Sequence, residues 1–222
     1  MAGNGERAER FLALHRPGQP LLLPNPWDAG SAVLLASLGY EALATTSSGY
    51  AATLGRLDGG LTRAEALVHA AEIVAATALP VSADLENGFG DRPEEVAETI
   101  ALARETGLAG CSIEDFSGRD QEPIYPLDLA AERVAAAARA AHAGPARMVL
   151  TARAENHLHG RTDLADTIAR LQAYEQAGAD VLYAPGLGSI EQIHAVVAAV
   201  ERPVNVLMRP GGPPVAELAA AG

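Results

Sequence analysis

The segment "VSADLENGFGD" (81–91) sets Asp84 and Glu86 one residue apart on what reads as the end of a strand. Strand side chains alternate, so the two acids share a face with Ser82, while Val81, Ala83 and Leu85 take the other. "GCSIED" (110–115) repeats the pattern with Ser112 and Glu114, and "LTARAE" (150–155) repeats it with Thr151, Arg153 and Glu155. Burying one unpaired carboxylate is costly. Three converging on one mouth would raise each other's pKa unless a cation stood among them. Oxygen donors with no thiol or imidazole beside them suit Mg2+ or Mn2+, so Asp84, Glu86 and Glu114 are the candidate metal ligands. Arg153 suits a bidentate grip on a substrate carboxylate, and Glu155 can serve as its ion-pair partner. A lone acid at a strand end is more often a cap or half of a salt bridge, but the set together reads as a site.

Weaker signals surround this set. "ATTSSGYAATLGRLDGG" (44–60) leaves a strand as a long loop whose hydroxyls and N–H groups, from Thr46, Ser47, Ser48 and Gly49, could cradle an anionic oxygen. Asp58 lies at its far end, able to return to the mouth. Asn205 and Arg209 share the polar face of the last strand. Asp115 reads equally as support for the site or as a loop boundary. His157 and His159, spaced i, i+2 with no third ligand, read as surface-loop histidines. Cys111 reads as a small buried residue on the outward face.

The elements that must position these residues alternate along the chain. Strands are predicted at 20–25, 42–48, 80–86, 109–115, 147–155, 180–186 and 203–209. Helices are predicted near 28–38, 62–78, 93–107, 127–142, 162–177 and 189–200, with a short one at 5–15 and another after Pro214. Thr62, Asp91 or Arg92-Pro93, and Thr162 are the expected helix openings. Alternating strands and helices imply parallel pairing through right-handed crossovers. Seven units are visible, one short of a (β/α)8 TIM barrel, and an eighth strand would start where the chain ends at Gly222. Residues 1–222 are thus expected to form one barrel domain, with either an open seam or further residues to close it. An open doubly wound sheet is the alternative, but the Gly-rich phosphate turn after its first strand is missing. In a barrel the charged residues fall at the C-terminal strand ends, where barrel enzymes do their chemistry.

Composition narrows the chemistry. The 222 residues carry a formal charge of −12, which argues against nucleic acid and anionic membrane as partners. No apolar run is long enough to span a bilayer, the first residues show no basic stretch followed by an apolar signal core, and the single cysteine cannot form an internal disulfide, so a cytoplasmic protein is expected. All 16 basic residues are arginines. A Schiff-base aldolase, which needs a lysine nucleophile, is thereby excluded.

Six segments in order, "TTSSGYAATLGRLDG", "VSADLENGFGD", "GCSIEDFSG", "LTARAEN", "AGADVLYAPG" and "PVNVL", resemble the isocitrate lyase/phosphoenolpyruvate mutase superfamily, in its "SADLENG" branch. The resemblance implies a (β/α)8 barrel that binds Mg2+ and makes or breaks C–C or P–C bonds beside a 2-oxo or 2-hydroxy acid through an enolate. It implies that Asp84 is the direct metal ligand, with Glu86 and Glu114 acting mainly through waters. Asp58 is implied to contact that water shell or the reacting group. Thr46 to Gly49, Arg153 and, more weakly, Asn205 are implied to bind a small anionic carboxylate substrate. It also implies a homo-oligomer, dimer or tetramer. Two departures bear on activity: Glu86 replaces an aspartate, and "EDFSGRDQEPIYP" carries neither the lyases' catalytic cysteine nor the mutases' lysines. Loop 116–126 is the expected lid. The proton carrier is left among Asp58, Glu155 and a metal-bound water. An oxaloacetate-type decarboxylase or hydrolase, a P–C bond enzyme and an inactive metabolite-binding barrel are the alternatives to a C–C lyase.

Overall fold

The computed structural model describes residues 4–222. Its elements are α1 (Asn4–Ala13), α2 (Ala29–Ser37), β1 (Leu43–Ala44), α3 (Ser47–Thr53), α4 (Arg63–Ala76), β2 (Val81–Asp84), α5 (Pro93–Glu105), β3 (Gly110–Glu114), α6 (Leu127–Ala141), β4 (Val149–Arg153), α7 (Leu164–Gln176), β5 (Val181–Tyr183), α8 (Ile190–Ala199), β6 (Val204–Asn205) and α9 (Val215–Ala220). The strands pair only in parallel and in sequential order, β1 to β6. Right-handed crossovers then put every connecting helix on one side of the sheet. The other side can shelter its residues only by curling on itself, so the fold is a parallel α/β, barrel-like one. A doubly wound sheet would reverse its strand order at a switch point, and this one does not.

Three predicted strands change. Residues 20–25 run beside β1 but form no strand; Pro24 O accepts one bond from Ala44 N at 3.2 Å. Pro20, Pro24 and Pro26 lack the N–H donors a ladder needs. The strand expected at 42–48 stops at Ala44, because the Thr46 side chain accepts from Gly49 N and caps α3. The strand expected at 203–209 shortens to Val204–Asn205. The described residues therefore form six paired strands. Apart from α3, in a segment expected as loop, the helices lie where their periodicity put them, with capping boxes at Thr62–Glu65 and Ser189–Gln192 and Pro93 in the first turn of α5. Asp163 rather than Thr162 caps α7.

The outward set of each strand forms the core against the helices. Val81, Ala83 and Leu85, Cys111 and Ile113, Leu150 and Ala152, and Leu182 cluster with Val96 and Ile100 of α5, Val134 of α6 and Leu171 of α7. A second cluster closes the N-terminal end of the sheet, where Phe11 and Leu14 pack against Ala109, Val149 and Val181. Phe11 comes so near β3 that a Cβ on Gly110 would stand 2.8 Å from its ring. With α1 as floor at the N-terminal end, the charged inward residues gather at the C-terminal strand ends.

Candidate active site

Strand register decides which inward residues meet. Asp84, Ser112, Thr151 and Val181 stand level across β2 to β5, and Glu114, Arg153, Tyr183 and Asn205 stand level across β3 to β6. All eight line a cavity of about 1600 Å³, together with Ser47, Ser48, Asp58, Glu86 and Glu155.

Arg153 is the hub. Its Nη1 donates to Asp84 Oδ1 at 3.1 Å, its Nη2 meets Glu114 Oε2 at 3.1 Å, and its Nε donates to Glu155 Oε1 at 2.7 Å. The ion pair expected between Arg153 and Glu155 is present, and the same guanidinium also stands between Asp84 and Glu114, two of the expected metal ligands. Five N–H donors less three leaves two, enough for one ligand carboxylate oxygen or two. Burial opposes the charge on Arg153, but Asp84, Glu114 and Glu155 hold its pKa well above the ordinary value. Burial is the main cause that raises the Glu114 and Glu155 carboxyls, partly offset by Arg153.

Asp84 is fully engaged. Its Oδ2 accepts from Ser47 N at 3.0 Å and Ser47 Oγ at 2.8 Å, while Oδ1 accepts from Arg153 and from Glu86 N at 3.2 Å. Ser47 Oγ also lies 3.4 Å from Asp58 Oδ1, on an exposed loop. The backbone donors expected to cradle an anion are thus partly used: Ser47 N–H by Asp84 and Gly49 N–H by Thr46 Oγ1. Gly49 is also pressed beneath Trp27, whose indole would stand 2.5 Å from a Cβ there. Asn205 sits beside Tyr183 in β6.

Glu86 is the exception. Its φ of +49° is a left-handed conformation that non-glycine residues seldom adopt, and its Oε1 is buried without a hydrogen-bond partner. Two features hold this turn. Arg133, itself buried, donates to the carbonyls of Asn87, Gly90 and Asp91. Gly88, at φ +79°, lets the chain pass Val96, which a Cβ would approach to 3.0 Å. Burial, then Asp84 and Asp58, push the Glu86 carboxyl up to about 7. Between about pH 4.5 and 7 the folded chain keeps a proton that the unfolded chain has released, so stability falls as pH rises through that window. Glu114 and Glu155 add to the same trend. In EDTA, the melting temperature of the wild type is expected to drop between pH 5 and 7.5, and Glu86→Gln to remove about 2–5 °C of that drop. An unchanged slope in the variant would contradict the placement of Glu86.

Behind the site lies a buried support. Asp115 Oδ1 accepts from Glu155 N at 2.7 Å, and Oδ2 accepts from Tyr174 Oη at 2.5 Å and Arg170 Nη1 at 3.1 Å. Asp115 thus fixes the backbone that aims Glu155 at Arg153. In loop 116–126, Arg119 and Tyr125 both reach Asp91, and Phe116 stacks on His159 with ring centroids 3.8 Å apart.

Two residues went unread in the sequence. Tyr183 hid in the apolar run "VLY", although its parity with Val181 placed it on the inward face. It lies under Arg153, whose Cζ is 5.3 Å from its ring centroid; burial, with Glu155, Asp84 and Glu114, pushes the phenol up to about 12 against the opposing pull of Arg153. His159 was read as a surface residue. A turn in which its N–H bonds to Glu155 O at 3.2 Å instead brings it to the cavity, where burial lowers its pKa.

Among the described residues, no three His, Cys, Asp or Glu side chains already converge as a metal site. The chemistry of the set nevertheless fits a hard divalent cation: its donors are carboxylate oxygens, and Glu86 Oε1 is a buried acceptor without a partner.

A family model described as phosphoenolpyruvate phosphomutase matches residues 11–222. The chain belongs to that family. Within the wider isocitrate lyase/phosphoenolpyruvate mutase superfamily it resembles enzymes. A structure of a lyase/mutase candidate from Burkholderia cenocepacia J2315 is 57% identical, with a TM-score of 0.94 over 98% of this chain and 79% of that one. The 2-methylisocitrate lyase of Escherichia coli (strain K12) is 29% identical over 87% of this chain and 70% of its own. Oxaloacetate acetylhydrolase, solved with its product oxalate, is 25% identical, with a TM-score of 0.89 over 100% of this chain and 79% of that one. These relatives make the chain an enzyme of the superfamily and its cavity the place to look for the chemistry. No helix of the described residues is long and apolar enough to cross a membrane.

Proposed function

We propose that the chain is a Mg2+-dependent lyase that cleaves or forms a C–C bond in a small 2-oxo or 2-hydroxy carboxylic acid by way of an enolate. The observation that carries this reading is the arginine-centred carboxylate cluster at the C-terminal strand ends, with the unpartnered oxygen of Glu86 beside it. Asp84, Glu86 and Glu114 would hold the cation, Mn2+ being able to replace Mg2+. When bound, it supplies positive charge where the enolate oxygen develops. The two remaining N–H groups of Arg153 orient the substrate carboxylate. Ser47 and Ser48, at the start of α3, face its other end, with Thr46 and Gly49 shaping that turn and Asn205 closing the row beyond Tyr183. Asp58 stands at the rim. Loop 116–126, latched to Asp91, excludes water. We take the working enzyme to be a cytoplasmic homo-oligomer with a (β/α)8 barrel.

A hydrolase or decarboxylase acting on an oxaloacetate-like acid is the second reading. It is favoured by the 25% identical acetylhydrolase and by a lid without cysteine or lysine. One experiment separates the readings: a panel of 2-oxo and 2-hydroxy di- and tricarboxylates and phosphonates, followed by NMR in Mg2+ and then in EDTA. Turnover that EDTA stops is the expected result, and the products name the bond. Silence across the panel with oxalate binding intact would make this a metabolite-binding barrel.

A further inference from the structure

The reaction proposed above needs a group that gives a proton to the enolate carbon, and the two side chains suggested by sequence, Asp58 and Glu155, fit poorly. Asp58 is exposed on the loop at the rim. Glu155 is 2% exposed, with one oxygen on Arg153 Nε and its backbone pinned by Asp115. Tyr183 is placed otherwise. It is level with Arg153 on the neighbouring strand, its side chain lines the cavity, and its ring lies 5.3 Å from the guanidinium carbon. Among the described residues its hydroxyl has no hydrogen-bond partner, whereas the phenols of Tyr125 and Tyr174 are both committed to aspartates.

We infer that Tyr183 is the catalytic acid of this site, donating its phenolic proton to the enolate carbon that Arg153 and the carboxylate cluster hold in front of it. The inference rests on the enolate reading. The step balances. As the C–C bond of a 2-hydroxy acid breaks, its electron pair enters the enolate, the hydroxyl becomes the new carbonyl and the hydroxyl proton leaves to water. The carbon then takes the Tyr183 proton, and the phenolate left beside the Arg153 cation regains a proton from water. A phenol, here raised further by burial, keeps its proton at neutral pH, so the donor is always charged with its proton. The nearby guanidinium stabilises the phenolate only when it forms, which is where such stabilisation accelerates a step. In the reverse direction the same pair exchanges the protons next to a 2-oxo group with solvent.

The test uses the full chain with Mg2+, pyruvate in D2O as the exchange probe and oxalate as the binding probe. Tyr183→Phe removes one oxygen that bonds to nothing in the protein, so the variant is expected to fold and to bind oxalate within about threefold of the wild type. Its C3 hydrogen exchange is expected to fall by at least about 100-fold. In protein labelled at tyrosine 13Cζ, the signal missing from Tyr183→Phe is expected to shift when oxalate binds the wild type. Equal exchange in the two proteins, whether fast or absent, or a ring signal indifferent to bound oxalate, would overturn the role of Tyr183 while leaving the site. A wild type that neither binds oxalate nor turns over any acid in the panel would overturn the site reading and this role with it.

Discussion

Replacing Arg153 by Met is expected to cost about 3–5 kcal/mol of stability at pH 8 in EDTA and to abolish turnover. Among the described residues the guanidinium is the only cation in contact with Asp84, Glu114 and Glu155, whose side chains are 14%, 12% and 3% exposed. Met keeps much of the volume and removes all three ion pairs, so carboxylates with little access to water must stay charged without a partner or take up protons. They will take up protons, and this gives the prediction a sign. Folded-state carboxyl pKa values already lie above their unfolded values at Glu114 and Glu155, and losing Arg153 raises them further. Stability then falls more steeply as pH rises above the usual carboxylate range. The variant should therefore come closest to the wild type near pH 5 and fall furthest behind at pH 8.

Arg153→Lys should recover only part of the loss, because one ammonium on a flexible stem cannot place charge on three acids arranged around a planar fork. Urea unfolding at both pH values decides the matter. A difference below about 1 kcal/mol, or one that does not change between pH 5 and 8, would show that the cluster does not depend on Arg153.

The same residue shows where reading from sequence stops. Alternation along one strand puts Asp84, Glu114 and Arg153 on inward faces, since that choice depends only on their own neighbours. Whether Arg153 stands level with Glu114 depends on the register between β3 and β4, which two segments separated by α6 fix through packing. Register adds what alternation could not, that the arginine is within reach of all three acids. Chain entry into the site failed for local reasons. Two prolines within the 20–25 segment and a third just after it removed ladder donors, and one threonine cap turned 47–53 from loop into helix. Tyr183 illustrates the opposite case. Its parity was readable, but an aromatic residue in an apolar run looks like core until its neighbour across the sheet proves to be an arginine.

Asp84→Asn is the complementary experiment, since it should silence the enzyme while sparing the fold. The shape is kept, and the amide oxygen can still accept from Arg153 Nη1 and Glu86 N, the two bonds that tie β2 to β4 and set the Glu86 turn. The amide nitrogen falls where Oδ2 now accepts from Ser47 N and Oγ. Ser47 Oγ can turn to accept, but its N–H loses a partner, a penalty of about 1–3 kcal/mol. Ala would lose all four bonds at once and would confuse instability with inactivity. The removed charge is the carboxylate that most raises the Glu86 carboxyl in the proposed cation site. If that site contributes several kcal/mol to the transition state, its loss is worth about 1,000-fold or more in kcat. Calorimetric titration with Mg2+ should show binding weakened beyond detection, and circular dichroism should show the fold intact. A folded Asp84→Asn protein that binds Mg2+ normally would remove Asp84 from the ligand set. One that also turns over within tenfold of the wild type would move the chemistry away from this cluster altogether, because Asp84 joins α3, β2 and Arg153 at its centre.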